Sequence, residues 1–175
     1  IEFMPDGQGV GLFSPVGIMQ SLSVLLLCKD CLMANNVYAS CVSVDGQGVL
    51  LIGGSGTGKS DLALRLIMDK KAVLVADDRV ELELRNSLIT ASAPLPLKGL
   101  LEVRGIGIMT FPCLSEVPLS LAVRLNCAEE KSERLPAPEF FEFGGVRIPQ
   151  IRLCAFEASA AAKIIAFLHN PLADV

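Results

Sequence analysis

Apolar and polar positions alternate between two rhythms along this chain. The stretch "VYASCVSV" (37–44) and the run "VLLI" (49–52) read as strands, and "DGQG" (45–48) between them has the residues of a tight hairpin turn. After a glycine-rich stretch, Leu62, Ala63, Leu66 and Ile67 repeat at helical spacing, which predicts a helix from about Lys59 to Met68. "AVLVA" (72–76) is a continuous apolar run, as expected of a buried central strand. "RVELEL" (79–84) alternates and is turned by Arg85-Asn86-Ser87 into a returning "LITA". "PLSLAVRL" (118–125) and "VRIPQIRL" (146–153) read as further strands, and "SAAAKIIAFL" (159–168) as a C-terminal helix. The prolines of "APLPLKGL" and "FPC" mark loops, and the charged, Pro-bearing "EEKSERLPAPEFF" (129–141) reads as a mobile surface loop. The sum is an α/β chain with a mixed sheet and flanking helices, with no repeat and no domain boundary after residue 37.

The first 32 residues stand apart from this pattern. "IEF" before Met4 resembles a cloning scar, and Met33 opens "MANNVYASC" directly before the first strand. Residues 1–32 are therefore expected to be a leader or an N-terminal helix, and residues 33–175 the functional domain. "VGIMQSLSVLLLC" (16–28) is broken by Gln20, Ser21 and Ser23 and is shorter than the roughly 20 residues that span a bilayer, so no membrane association is expected.

Composition narrows the function classes. The chain has 175 residues, a size that favours one domain with a real core. It is 51% hydrophobic, which points to an oligomer that buries apolar surface. Its net charge of −4 offers no basic footprint for nucleic acid. Six cysteines include one C-x-x-C pair, Cys28 and Cys31, with no second pair to complete a zinc site. Reduced cysteines beside a nucleotide motif suggest the cytosol. His169 is the single histidine, so chemistry that needs an imidazole has one candidate.

Three constellations carry the chemistry. Gly53, Gly54, Ser55, Gly56, Thr57, Gly58, Lys59 and Ser60 form a complete phosphate-binding loop between a strand and a helix. Its glycines let backbone N–H groups face a phosphate and the helix N-terminus adds its dipole. Lys59 supplies a point charge, and Ser60 a hydroxyl for Mg²⁺. Asp77 and Asp78 end the next apolar strand, where one acid can hold a metal and the other accept a hydroxyl proton. In "LLEVRGIGI" (100–108), Glu102 and Arg104 share a side if the stretch is extended; together they suit metal holding and charge stabilisation on a transferring phosphoryl group.

In this order and at these separations, "GVLLIGGSGTGKSDLALRLI", "LVADDRVEL" and "LLEVRGIGI" resemble the catalytic domain of the HPr kinase/phosphorylase family, and "SERLP" and "IPQIRL…EASAAAKI" agree with it. The likeness covers roughly residues 37–168 and looks like the short form without the additional N-terminal domain. It implies a P-loop fold with a nucleotide site like that of phosphoenolpyruvate carboxykinase. It also implies Mg²⁺-dependent transfer of phosphate from ATP or pyrophosphate to a serine of the phosphocarrier HPr, in sugar-transport regulation, and a reverse phosphorolysis. Carried onto this chain, Lys59 and the loop bind phosphates. Ser60 and Glu102 match the Mg²⁺ positions, and the acidic doublet matches the base, with Asp78 favoured over Asp77. Arg134 matches an arginine used chiefly in the reverse step, and the resemblance implies a hexamer.

Two positions depart from the family pattern. Its first-strand histidine, 21 residues before Lys59, is here Tyr38. Phenols titrate near pH 10 and imidazoles near 6.5, so Tyr38 can hold a neighbouring acid by a hydrogen bond without tuning its proton affinity at neutral pH. The family's basic, glycine-bearing segment after the last strand is here "CAFEASAAAK", with Glu157 in it. Both departures predict a kinase with weakened phosphorolysis; the competing expectation is a nucleotide-binding sensor or scaffold with little kinase activity.

Overall fold

The computed structural model describes residues 35–126 and 134–170. Tyr38 interrupts the first strand-like stretch, leaving β1 (Asn35–Val37) and β2 (Ala39–Val44). Strand β2 turns through Asp45-Gly46 into β3 (Gln47–Ile52). Both turn residues have positive φ, 49° and 82°, the backbone a two-residue hairpin of right-handed twist requires. Helix α1 (Lys59–Lys70) starts at Gly58 and ends at Lys71 in the left-handed region, where the Ala72 N–H reaches the Leu66 carbonyl. Then come β4 (Val73–Ala76), the antiparallel pair β5 (Val80–Arg85) and β6 (Leu88–Ser92), and a 3₁₀ turn over Leu95–Leu97. A separate two-stranded ribbon follows, β7 (Leu100–Val103) and β8 (Gly107–Thr110). Strands β9 (Glu116–Leu125), β10 (Glu139–Phe143) and β11 (Val146–Leu153) precede α2 (Ala160–His169).

The larger sheet has nine strands, in the order β1-β5-β6-β9-β3-β2-β4, with β10 and β11 attached through β9. Strand β9 spans ten residues and serves two neighbours on one edge. Residues 116–118 pair antiparallel with β6, and 122–125 pair parallel with β11. Its other edge takes β3, also parallel. The sheet therefore folds about β9 into two wings.

Side chains alternating on the central strands feed two cores. Val49, Leu51, Leu121 and Val123 face the helices, packing with Leu62, Leu66 and Ile164. Leu50 and Ala122 face the other way, onto Val80, Leu82, Ile89 and Ala91 of the opposite wing. This explains why "VLLI" is apolar at every position: the strand is covered on both faces. Each such Leu, fully buried, contributes about 1.5–3 kcal/mol.

The mixed sheet and the hairpins agree with the sequence pattern. Two expectations need correction. Residues 139–141 of the expected loop 129–141 belong to β10, whose Phe143 is buried in the second core while Phe140 and Glu142 face outward. The segment 100–108 does not run extended: it turns over 104–106, with Val103 paired to Gly107. Residues 1–32 lie outside the described residues, as do Cys28, Cys31 and Cys127. Cys41, Cys113 and Cys154 carry free thiols, and burial pushes the Cys41 thiol far above its usual range, which removes its nucleophilicity. Among the described residues no helix is long and apolar enough to cross a membrane.

Candidate active site

Strand β3, buried on both faces, ends at Ile52 and releases the chain into the glycine loop. The loop is internally tied: Thr57 donates through Oγ1 to the Gly54 carbonyl at 2.9 Å. Gly58, the last glycine, has φ 88°. A Cβ there would lie 2.8 Å from the Ala155 Cβ and 3.0 Å from Phe156 Cζ, so the position requires glycine for conformation and for space. Lys59 follows as the first helical residue, 6% exposed. Its ammonium donates to the carbonyls of Gly53 and Gly54 at 2.9 Å each and stands 3.9 Å from the centre of the Tyr38 ring. Arg79 lies 5.9 Å from the same ring.

Asp77 follows directly after β4 and is buried. Its carboxylate accepts from Ser40 Oγ at 2.5 Å, from Ser60 Oγ at 3.0 and 3.1 Å, and from the Glu102 backbone N–H at 3.3 Å. One acid thus fastens β2, the start of α1 and β7 together. Asp78 is exposed, with φ 65°, a left-handed conformation that aspartate tolerates better than most residues. The reversal at Asp78 separates the two neighbouring acids: one is a buried acceptor, the other opens to the cleft.

A cavity of about 430 Å³ lies over this arrangement. Ser55, Gly56, Gly58, Lys59 and Ser60 line it from the loop, Asp77 and Asp78 from the strand end, and Glu102 and Arg104 from the β7–β8 ribbon. Tyr38 and Phe156 complete it, with Leu64, Leu97 and Ile108 among its apolar lining. The turn at Arg104 does not remove it from the site: strand and turn residue reach the same cavity. Gly53, Gly54 and Thr57 stand behind the loop surface as the internal ties just described. Arg134 is exposed and is not among the lining residues. His169 pairs with Asp45 at 3.2 Å. Asp45 sits in the hairpin turn at the opposite end of β3 from the loop, so the histidine is outside the cleft.

The donor set suits a small hard cation that also binds phosphate. Among the described residues there is no cluster of three or more His, Cys, Asp or Glu able to hold a metal by itself. Mg²⁺ commonly takes only one or two carboxylates and fills its octahedron with water and phosphate oxygens. The hydroxyl of Ser60 against the Asp77 carboxylate, with Glu102 on the same cavity, fits that pattern.

Two contributors carried little signal in the sequence. Ser40 reads as an ordinary strand residue, and only pairing of β2 beside β4 brings it to Asp77. Phe156 comes to Gly58 because Arg65 on α1 donates to the carbonyls of Ala155 and Glu157.

Comparison with known proteins bears on the family and the fold. Residues 31–170 match the family model described as HPr Serine kinase C-terminal domain. The HPr kinase/phosphorylase of Bordetella pertussis is 38% identical over 137 residues, covering 71% of this chain and 44% of that protein. The one from Mycoplasmopsis pulmonis is 31% identical over 140 residues, covering 74% and 45%. This chain therefore spans less than half the length of these relatives. The structure of the HPr(Ser) kinase/phosphatase from Coxiella burnetii superposes with a TM-score of 0.67 at 25% identity, covering 77% of this chain and 93% of that one. A family match across most of the chain, with the corresponding fold, places it: the chain belongs to the HPr serine kinase C-terminal domain family.

Proposed function

We propose that this chain is an ATP- and Mg²⁺-dependent protein kinase that phosphorylates a serine of the phosphocarrier HPr, with weak phosphorolysis in reverse. The observation that carries it is the convergence of Lys59, Ser60, Asp77, Asp78, Glu102 and Arg104 on one cavity. The names of the relatives support the choice of HPr as substrate.

In this reading the loop N–H groups and Lys59 hold the phosphates of the donor. Ser60 and Glu102 would hold Mg²⁺, which when bound neutralises charge on the phosphate oxygens. Asp77 spends its lone pairs on Ser40, Ser60 and the Glu102 N–H, so it organises the site. Asp78 opens to the cavity and is the base. It takes the proton of the substrate serine as that oxygen bonds to the γ-phosphorus and the bond to the ADP oxygen breaks. Arg104 stabilises negative charge on the phosphoryl group in transit. In reverse, an oxygen of inorganic phosphate bonds to the phosphoserine phosphorus as the bond to the serine oxygen breaks, Asp78 returns the proton to that serine oxygen, and pyrophosphate is the product. Arg134 serves this reverse step from the loop that precedes β10. A cytoplasmic location and assembly into a homo-oligomer belong to the same reading.

Incubation with γ-labelled ATP, Mg²⁺ and HPr tests the proposal: label on an HPr serine supports it. Tight ATP binding with no transfer would favour a nucleotide-binding sensor or scaffold. The observation on that side is Tyr38, which lines the cavity where the family resemblance expects a histidine.

A further inference from the structure

Three aromatic side chains are substantially exposed among the described residues: Tyr38, Phe140 and Phe156. Two have a cation over the ring. Lys59 covers Tyr38, and the Arg147 guanidinium stands 4.1 Å from the centre of Phe140. Phe156 is the most exposed of the three, at 60%; no cation among the described residues stands over its ring, and it lines the cavity of the phosphate loop.

Its position is built. Arg65 donates to the carbonyls on either side of it, Ala155 and Glu157, and is itself oriented by Asp61 one turn back on the helix. The Glu157 carboxylate is engaged by Lys163, which occupies the one negative charge of this segment. The edge of the Phe156 ring meets the Gly58 backbone, a contact tolerated only because Gly58 has no Cβ. An anchored backbone thus holds a bare aromatic face beside the last glycine of a phosphate loop. Leu64, one turn along α1 from Ser60, adds apolar lining.

We propose that Phe156 is the nucleobase platform of this site, stacking the purine of a nucleoside triphosphate whose phosphates lie on the 53–60 loop. The inference rests on the ATP-donor reading above and adds to it the side chain that holds the base. Aromatic stacking is indifferent to which base is presented, so the site discriminates nucleotides from bare polyphosphates more than one purine from another.

The test compares binding of ATP and of inorganic tripolyphosphate, each with Mg²⁺, by calorimetry on the full chain and its variants. The wild type is expected to bind ATP about 10-fold more tightly than tripolyphosphate, and Phe156→Ala to lose most of that ratio while tripolyphosphate binding stays within about twofold. Phe156→Leu keeps an apolar contact for Gly58 but no aromatic face and should lose the ratio with unchanged thermal stability. Phe156→Trp should keep or raise it. Equal wild-type affinities for the two ligands overturn the inference while leaving the phosphate site standing. So does a ratio that survives in both the Ala and Leu variants. A parallel loss of both affinities, with or without a change in oligomeric mass, shows a structural or subunit contact and also overturns it. Failure of the wild type to bind either ligand sinks the phosphate-donor reading and the inference with it.

Discussion

The ammonium of Lys59 rests over the ring of Tyr38, 3.9 Å from its centre, while donating to the carbonyls of Gly53 and Gly54. The residue that stands where a histidine is expected is thus mechanically tied to the residue proposed to meet phosphate. A cation over a phenol ring needs the ring and not the hydroxyl. Tyr38→Phe should therefore leave the ligand-free protein as stable as wild type, and Tyr38→Leu should cost about 1 kcal/mol in urea denaturation. Equal losses in both variants would show that the hydroxyl, and not the ring, is the stabilising part.

Tyr38→His tests the chemistry at the same place. An imidazole titrates close to neutrality and can exchange protons with a neighbouring acid where a phenol cannot. Phosphate-dependent dephosphorylation of phosphoserine-HPr should rise about tenfold or more near pH 7. An unchanged rate would mean that the proton chemistry is already complete with the phenol in place.

The acidic doublet divides its work in a way that two amide variants separate. Asp77→Asn replaces one of the two carboxylate oxygens that accept from Ser40 Oγ, Ser60 Oγ and the Glu102 N–H with an NH2 donor. A stability loss of about 1–3 kcal/mol is expected from the unmet donors. Asp78→Asn should leave the melting temperature and ATP affinity near wild type and reduce transfer to HPr by about 100-fold or more. Single-turnover kinetics and thermal denaturation on the same samples distinguish the two outcomes. If Asp77→Asn alone abolished transfer with stability intact, the assignment of the base would move to Asp77.

The loop glycines are unequal. Gly56 and Gly58 both have positive φ, but nothing lies within 4 Å of a Cβ at Gly56, whereas one at Gly58 strikes Ala155 and Phe156. Gly56→Ala should cost about 1 kcal/mol from the left-handed backbone alone. Gly58→Ala adds a collision and should also dislodge the 155–157 segment, lowering ATP affinity as well as stability. Denaturation midpoints and ATP titrations of the two variants check this order.

At the far edge of the sheet, Glu139 is held by Arg152 and Gln150 at 2.8 Å, and the Arg152 hydrogen bond above all draws its carboxyl below the usual range. A group whose folded-state affinity for protons is depressed stabilises above its unfolded titration point and loses that contribution as pH falls through the folded one. Glu139→Gln should therefore lower the melting temperature slightly at neutral pH, with the gap to wild type closing as pH drops below about 4. A gap independent of pH would assign the effect to packing.

What could be read from the sequence followed from local rules. Asp45-Gly46 supplies the left-handed pair a tight hairpin needs, and Leu62 with Leu66 marks the buried stripe of α1. "GGSGTGKS" stands out as a phosphate-loop pattern because its constraints are all within eight residues. The features missed depend on distant partners. β10 carries charge and proline at its entry, and becomes a strand only because β11 offers an antiparallel edge. The turn at Arg104 is set by Gly105 and Gly107, which permit extension and reversal alike. Phe156 carried no signal as a site residue, since nothing near it in the chain says that Arg65 will bring it to Gly58. Tyr38 was legible as a departure, but its contact with Lys59 was not.

Strands β3, β9 and β11 run side by side in the same direction, so their ends deliver the glycine loop, Asn126 and the Phe156 segment to one rim. The tie that closes this rim joins Arg65 to Glu157 across 92 positions of chain. During synthesis the glycine loop leaves the ribosome long before its partner exists. A nascent chain can therefore carry the full phosphate-binding motif, and even its helix, without a finished site. The rim is complete only once β11 pairs with β9, so until then a chain can contain the signature without the finished cleft.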